Sequence, residues 1–182
     1  MPLKNQKSIP HIPKSRGKKV SIIKDSVPEK KKSEIEYNCE IYFSTGFLKE
    51  KQLYCITLTT IRQFSNLNYE ISVSTSKHKN SIDIIILGLK TKVDYINNSG
   101  SALCELLFEN LYGKHTINII KQDGSINSAI VDFNIFKRKI DLVKVFLPEK
   151  KNNREFVTFE VVPDKFKYSN WGGQQCILNY LK

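Results

Sequence analysis

From residue 35 onward, apolar and polar residues alternate along much of the chain. Because successive side chains of a β-strand point to opposite faces of a sheet, this period of two predicts strands. One run, residues 53–61, is apolar on both faces, which is typical of a strand in the middle of a sheet. Strands are predicted over residues 35–43, 53–61, 69–75, 82–89, 102–111, 116–121, 126–136, 142–147, 155–162 and 176–181.

The residues between the predicted strands indicate how some of the strands are connected. Asp123 and Gly124 predict a tight hairpin, because glycine readily adopts the positive φ that such turns require. Residues 148–154 are predicted to form a charged, exposed hairpin loop between the strands on either side. The leucines within residues 102–111 also fit a helical stripe, but the strand-like neighbours favour a strand there.

Many short strands, with no long amphipathic helices between them, predict an all-β fold. The predicted architecture is a two-layer antiparallel β-sandwich, immunoglobulin-like or jelly-roll, and the alternative is a barrel. The alternation of residues does not separate these topologies, because it does not say which strands pair. We assign residues 34–182 to this predicted β-sandwich domain.

The composition changes at the N-terminus, where residues 1–33 are predicted to form a flexible basic arm. The first 32 residues hold ten basic side chains and two acidic ones, whereas the other 150 residues hold 19 basic and 16 acidic ones. Most of the formal net charge of +11 therefore belongs to the arm. Its prolines, lysines and few large apolar groups cannot bury enough surface to offset the entropy of ordering, so the arm alone is predicted to be disordered.

This charge distribution indicates a polyanionic partner. Lysines are flexible point charges that suit sequence-independent contact with phosphates, so we predict nucleic-acid binding by the arm. The alternative is that the arm is a solvated tail that keeps the protein soluble. The predicted nucleic-acid contacts are Lys4, Lys7, Lys14, Arg16, Lys18, Lys19, Lys30, Lys31 and Lys32 in the arm, with Lys137, Arg138 and Lys139 between two strands.

The sequence contains no motif for catalysis, metal or cofactor binding, and we predict a non-enzymatic protein. Neither a nucleophile elbow nor a histidine pair with metal-ligand spacing is present. We expect His115 to be a turn or strand-edge residue rather than a base. The four cysteines form no CxxC pair, and the strand pattern predicts that Cys39 and Cys104 are small buried hydrophobes.

Two main functional hypotheses remain. The first is a structural or binding subunit of a larger assembly whose arm contacts nucleic acid, as in a ribonucleoprotein or a viral coat. A basic arm on a β-sandwich resembles the layout of small capsid and ribosome-associated proteins, which is an analogy of architecture alone. An enzyme or small-molecule binder is a third and weaker hypothesis, because no convergent polar cluster is apparent in the sequence.

The second hypothesis is a protein-interaction module, either a homo-oligomer or a subunit whose arm threads along a protein partner. Its predicted contacts are Val20, Ile22, Ile23 and Trp171, and Trp171 with Tyr168 and Phe166 is alternatively a platform for base stacking. The chain carries neither a membrane-spanning apolar stretch nor a secretory signal, so we expect a soluble, cytoplasmic or otherwise intracellular protein.

Overall fold

A computed structural model describes residues 32–46, 51–65, 68–92, 100–150 and 152–169. The predicted strand at residues 176–181 and most of the predicted arm lie outside these residues. The strands are β1 (Tyr37–Thr45), β2 (Gln52–Phe64), β3 (Tyr69–Lys77), β4 (Ser81–Thr91), β5 (Gly100–Phe108), β6 (Gly113–Lys121), β7 (Ile126–Asn134), β8 (Lys139–Phe146) and β9 (Val157–Val161), and a 3-10 helix covers Pro163–Lys165.

The nine strands form one mixed sheet in the order β8-β7-β6-β4-β3-β5-β2-β1-β9, which is nearly closed into a barrel. The pairs β1/β9, β3/β5 and β4/β6 are parallel, and the other five pairs are antiparallel. The all-β prediction is confirmed, and the ambiguous segment forms a strand, β5. The Asp123-Gly124 hairpin is also confirmed, since Gly124 has φ 80° and its N–H donates to the Lys121 carbonyl at 3.0 Å.

The predicted two-layer antiparallel sandwich is not confirmed. A bridge between Glu70 and Leu103 joins β3 to β5, so the strands belong to a single continuous sheet. The predicted hairpin at residues 148–154 is wrong, because β9 pairs in parallel with β1, at the opposite end of the strand order from β8. Alternation identifies the side of a strand that faces the core, but it does not determine the neighbouring strand.

The inner face of the sheet forms one continuous hydrophobic core. As predicted, β2 lies inside the sheet, between β5 and β1, and is buried on both faces over most of its length. Its core side chains are fully or almost fully buried together with those of the other strands. The largest fully buried side chains include Phe43, Phe133, Phe156, Ile41, Ile56, Leu58, Ile82, Ile84, Ile117 and Ile119.

Strand directions give the barrel two distinct ends. The Glu36 end, as we name it, carries the starts of β1 and β9 and the β6–β7 hairpin. The Phe136 end carries the β3–β4 turn, the β5–β6 connection, the β7–β8 turn and residues 162–169. The two ends are separated by the length of the sheet, which is about 30 Å for nine residues of extended strand.

Side-chain amides close the sheet at the Glu36 end, where β7 meets the segment before β9. The Asn127 Oδ1 atom accepts hydrogen bonds from the backbone N–H groups of Phe156 and Val157, at 2.8 and 3.0 Å. Its Nδ2 group donates to the Arg154 carbonyl at 2.9 Å. Asn153 similarly accepts from the Ile126 N–H and donates to its carbonyl. These two asparagines link β7 to the segment before β9, where no strand ladder joins them.

Candidate functional site

An exposed pair of aromatic side chains is the most distinctive feature of the Phe136 end. Phe136 is 85% exposed and Tyr112 is 63% exposed, although large aromatic rings are usually buried. Their ring centroids lie 5.9 Å apart in an edge-to-face arrangement, so each ring keeps surface open to solvent. We call Tyr112 and Phe136 the aromatic pair. Flat, exposed rings of this kind are suited to stacking against a planar ligand.

The backbone conformation of the β7–β8 turn explains why Phe136 is exposed. Asn134 ends β7 and its Oδ1 atom accepts a hydrogen bond from the Lys137 N–H at 3.0 Å. The Arg138 N–H donates to the Ile135 carbonyl, also at 3.0 Å, and Arg138 has a φ of 50°. A left-handed conformation at a non-glycine residue costs on the order of 1 kcal/mol, and such residues often occur at functional sites. The turn therefore holds residues 136 and 137 away from the core.

The three predicted cations of this turn have different surroundings. Lys137 is exposed and has no ion pair within the described part of the chain. Arg138 lies over the Tyr168 ring at 4.9 Å, and the Tyr168 hydroxyl donates to the Arg138 carbonyl at 3.2 Å. Lys139 forms an ion pair with Asp141 at 2.8 Å. Of the three, Lys137 has the charge most available to an anionic ligand.

A cavity of about 470 Å³ opens beside the aromatic pair, in the mouth of the barrel. Phe136, Ile135 and Tyr54 form its apolar part. The Tyr54 ring packs edge-on against Phe133 at 5.5 Å, and its hydroxyl has no hydrogen-bond partner among the described residues. Burial raises the pKa of Tyr54, so the hydroxyl remains a hydrogen-bond donor at neutral pH.

The polar part of this cavity comes from β2 and from the β5–β6 connection. The Lys51 ammonium lies 3.3 Å from the Glu109 carboxylate, so these two rim charges compensate each other. Lys77 donates to the Glu109 carbonyl at 2.6 Å and holds the connection against β3. Asn110 has a φ of 55°, and its side-chain amide has no partner in the described ranges. One donor and one acceptor are thus free at the cavity rim.

The segment after β9 crosses the Phe136 end and forms a further wall. The Lys167 N–H donates to the Phe43 carbonyl at 2.9 Å, and the Ser169 N–H donates to the Gln52 Oε1 atom at 3.1 Å. Phe166 and Tyr168 pack on Phe43 with centroid distances of 4.9 and 5.6 Å. Tyr168 and Phe166 are therefore half-buried parts of this wall, and Tyr168 offers its ring to Arg138.

A separate polar cluster lies on the outer face of β1, β2 and β5. The Cys55 thiol donates to the Glu105 carboxylate at 3.3 Å, and the Tyr42 hydroxyl lies 3.1 Å from the Thr57 hydroxyl. Burial, with the adjacent carboxylate, raises the pKa of Cys55 to about 11. Burial also raises the pKa of Tyr42. The thiol is consequently protonated at neutral pH and is a poor nucleophile, since the thiolate is the reactive form.

The titratable groups of the core are structural. Cys39 and Cys55 are buried, Cys104 is half-buried, and all three thiols are free. The expectation of a turn or edge position for His115 is wrong, because the residue is 5% exposed inside β6 and packs on Phe133. No group of three or more His, Cys, Asp or Glu side chains with a geometry for metal binding occurs among the described residues.

The structure does not bring the predicted nucleic-acid contacts together. Lys32 is exposed near the Glu36 end, whereas residues 137–139 lie at the Phe136 end. The other arm contacts, at positions 4–31, and the predicted partner contacts Val20, Ile22, Ile23 and Trp171 lie outside the described residues.

Sequence reasoning missed the aromatic pair, the cavity and Asn110. The alternation pattern places Phe136 at the end of a strand, although an aromatic residue directly before three consecutive cations is a signal for an exposed ring. Nothing in the sequence indicated that Tyr112 and Phe136 meet, because they are 24 positions apart in sequence and belong to different connections.

No protein-family model matches the chain, and the comparisons with curated proteins and with solved structures also found no match. No helix in the described ranges is long and apolar enough to cross a membrane.

Proposed function

We propose that this protein binds single-stranded nucleic acid at the Phe136 end and catalyses no reaction there. The observation that carries the proposal is the aromatic pair, with Phe136 85% exposed and followed directly by Lys137, which is exposed and has no ion pair with any residue that the structure describes. Exposed rings stack on bases of any identity, and adjacent lysines contact the phosphates. Duplex DNA keeps its bases stacked inside, so the arrangement favours single strands.

The basic arm would add phosphate contacts that do not depend on sequence. Such contacts release counterions and make binding strongly dependent on salt. A protein with one stacking platform and a long cationic arm is suited to the role of a binding subunit in a larger nucleic-acid assembly. The absence of an activated nucleophile in the outer-face cluster supports a role without catalysis, because both the thiol of Cys55 and the phenol of Tyr42 are held protonated.

Fluorescence anisotropy with labelled 12-nucleotide RNA and DNA strands tests the proposal. We expect the substitution Phe136→Ala to weaken binding by about tenfold or more, since base–aromatic stacking contributes about 1–3 kcal/mol per base. Phe146→Ala is a matched control, because Phe146 is also an exposed phenylalanine, with Lys144 over its ring, but lies at the Glu36 end. Equal affinities for the wild type and Phe136→Ala would contradict the proposal.

Removal of residues 1–31 separates the arm from the barrel. We expect the truncated protein to bind more weakly and with a smaller dependence on salt between 50 and 200 mM, while the effect of Phe136→Ala persists. A truncated protein that binds no strand at low salt would mean that the barrel contributes no contact.

A protein-interaction module is the second candidate, and the sheet edge at β8 favours it. Val143, Val145, Phe146 and Leu147 are exposed apolar residues at the end of this edge strand, and an exposed edge can pair with a strand of a partner. In that case Val145→Lys should abolish self-association or capture of a protein partner, measured by light scattering and co-purification, and leave nucleic-acid affinity unchanged.

A further inference from the structure

We infer that the cavity at the Phe136 end holds one unstacked nucleobase of the bound strand and selects among the bases at that position. This inference rests on the proposed function and goes beyond it, because stacking and phosphate contacts alone do not distinguish bases. Proteins that read single strands commonly place an unstacked base in a pocket and hydrogen-bond to its edge.

The aromatic pair and the cavity share a wall. Phe136 packs edge-to-face with Tyr112 and also lines the cavity. A strand that stacks on the pair therefore passes the cavity mouth with its neighbouring base. The cavity volume of about 470 Å³ lies within the range of small-ligand sites, and Tyr54 and Ile135 provide an apolar floor for a planar ring.

The charges around the cavity favour a base over a phosphate. Lys51 and Glu109 form an ion pair at the rim, so the rim has no net charge from these two residues. A phosphate inside the cavity would approach the Glu109 carboxylate. The unpaired Lys137 lies next to Phe136, in the turn outside the cavity. This separation places the phosphates outside and the neutral base inside.

Two polar groups are available to read the edge of the base. The Asn110 amide offers a donor and an acceptor, and the Tyr54 hydroxyl offers a donor; none of these has a partner in the part of the chain that the structure describes. Asparagine pairs well with a base edge that presents both a donor and an acceptor. The left-handed backbone at Asn110, with φ 55°, fixes the position from which its side chain starts.

The cavity at the Glu36 end does not have this combination. It has a volume of about 520 Å³, but its lining includes both Glu34 and Glu36. Glu36 is bound by Lys121 and Arg154, and Glu34 is exposed without an ion pair in the described ranges. That lining also includes the exposed cation Arg62, but its described residues include no side-chain amide, so we assign the base to the Phe136 end, where Asn110 supplies one.

The test uses strands in which one base can be assigned to one site. Nine-residue strands of abasic sugar phosphates, each with a single central adenine, guanine, cytosine or uracil, are compared with the fully abasic strand by anisotropy against the full-length protein. We expect the preferred base to bind at least tenfold more tightly than the abasic strand, and at least fivefold more tightly than the least favoured base. Ribose and deoxyribose versions of the strands distinguish RNA from DNA.

Asn110→Gly removes the amide but keeps a residue that tolerates positive φ, so the connection retains its backbone conformation. We expect this variant to lose most of the preference among the four single-base strands, with only the Tyr54 hydroxyl left to contact the base edge. Asn80→Gly is the control, since Asn80 is an exposed asparagine in the β3–β4 turn at the same end. A preference among bases that is as large in Asn110→Gly as in the wild type would overturn the inference, because the Asn110 amide would then play no part in it.

A second measurement separates this inference from the proposed function. Saturation-transfer NMR with the four uncharged nucleosides reports on the cavity without strand binding, and the signal should disappear in Asn110→Gly. If strands bind but neither a base preference nor a nucleoside signal is found, the inference fails and the proposed function stands. If nucleosides bind in an Asn110-dependent way but no strand binds, the proposed function fails and the cavity is a nucleoside site. If nothing binds, both fail.

Discussion

Side chains of similar type have different partners and different exposure at the two ends of the barrel. At the Glu36 end, Lys121 and Arg154 both bind Glu36, and Asn127 and Asn153 satisfy backbone groups between the sheet edges. At the Phe136 end, an aromatic pair is open to solvent, and among the described residues Lys137 has no ion pair and Asn110 and Arg138 have positive φ. The first end uses these polar groups to close the fold, whereas the second leaves Lys137 and the Asn110 amide without a partner among the described residues.

This difference suggests that stability and binding are separable in this protein. Partners of buried or half-buried polar groups contribute to stability, because a group left unsatisfied costs free energy. At the Glu36 end Asn127, Asn153 and Glu36 have such partners, and the Ser125 Oγ atom is the one fully buried side-chain polar atom of the described residues without a hydrogen bond. Exposed side chains at the Phe136 end contribute little to stability and remain free to contact a partner.

The largest expected effect is on stability and comes from Asn127→Ala. The change leaves two backbone N–H groups and one carbonyl without their partner in a buried place, at a cost of about 4 kcal/mol in the free energy of unfolding. Urea denaturation measures this value. Asn153→Ala, at a half-buried position, should cost about 1 kcal/mol. An Asn127→Ala protein as stable as the wild type would show that these hydrogen bonds do not close the sheet.

The second largest expected effect is on the affinity for single strands, and it comes from the Phe136 end. Phe136→Ala should weaken single-strand binding by about 1–3 kcal/mol while the free energy of unfolding changes by about 0.5 kcal/mol or less. Asn127→Ala should lower the free energy of unfolding but leave the affinity for single strands unchanged under conditions in which the variant is folded. The same denaturation and anisotropy measurements on both variants test the separation. If Phe136→Ala lowered stability as strongly as affinity, the two ends would not be independent.

Strong acid should remove the contribution of Glu36 to stability. Burial raises the pKa of Glu36, but its hydrogen bonds with Lys121 and Arg154 outweigh burial and lower the pKa below the usual value of 4.5. Because the folded pKa is below the unfolded one, this contribution is fully present above about pH 4.5 and is lost as the pH falls through the folded pKa. Glu36→Gln should therefore be less stable than the wild type at pH 7, and the difference should shrink on acidification. A difference that is independent of pH would contradict the assignment.

The smallest expected effect compares two neighbouring lysines of the β7–β8 turn. Lys137→Ala should reduce the slope of log affinity against log salt by about 1, because an unpaired lysine contributes one phosphate contact. Lys139→Ala should reduce it less, since Lys139 is paired with Asp141 at 2.8 Å. Salt titrations of both variants by anisotropy make the comparison. Equal reductions would mean that the ion pair does not persist in the complex.

Much of the fold was predictable from local patterns. Alternation along β1 and β3, and Asp123-Gly124 after β6, depend on neighbours in sequence, and the structure confirms them. The pairing of β9 with β1 was not predictable, because it depends on residues far apart in the chain. The hydrogen bonds between Asn127 and the segment before β9 were not predictable for the same reason, since a single asparagine in a strand gives no signal of its distant backbone partners.

The candidate site was predictable only in part. The Lys137–Lys139 cluster was visible as charge, but its division into unpaired, stacked and paired cations depends on Asp141 and Tyr168. The cavity depends on β2, the β5–β6 connection and the β7–β8 turn, which meet only in the folded barrel. Its position could not be read from any one segment of the sequence.

The most direct test of the central claim is an NMR titration of the full-length, isotope-labelled protein with a 12-nucleotide single strand at low salt. Our account predicts that the largest chemical-shift changes fall at Tyr112, Asn110 and residues 135–138, with little change in the hairpin between β6 and β7 at the Glu36 end. Changes confined to the Glu36 end or to β8, or no changes at all, would contradict the assignment of the binding surface.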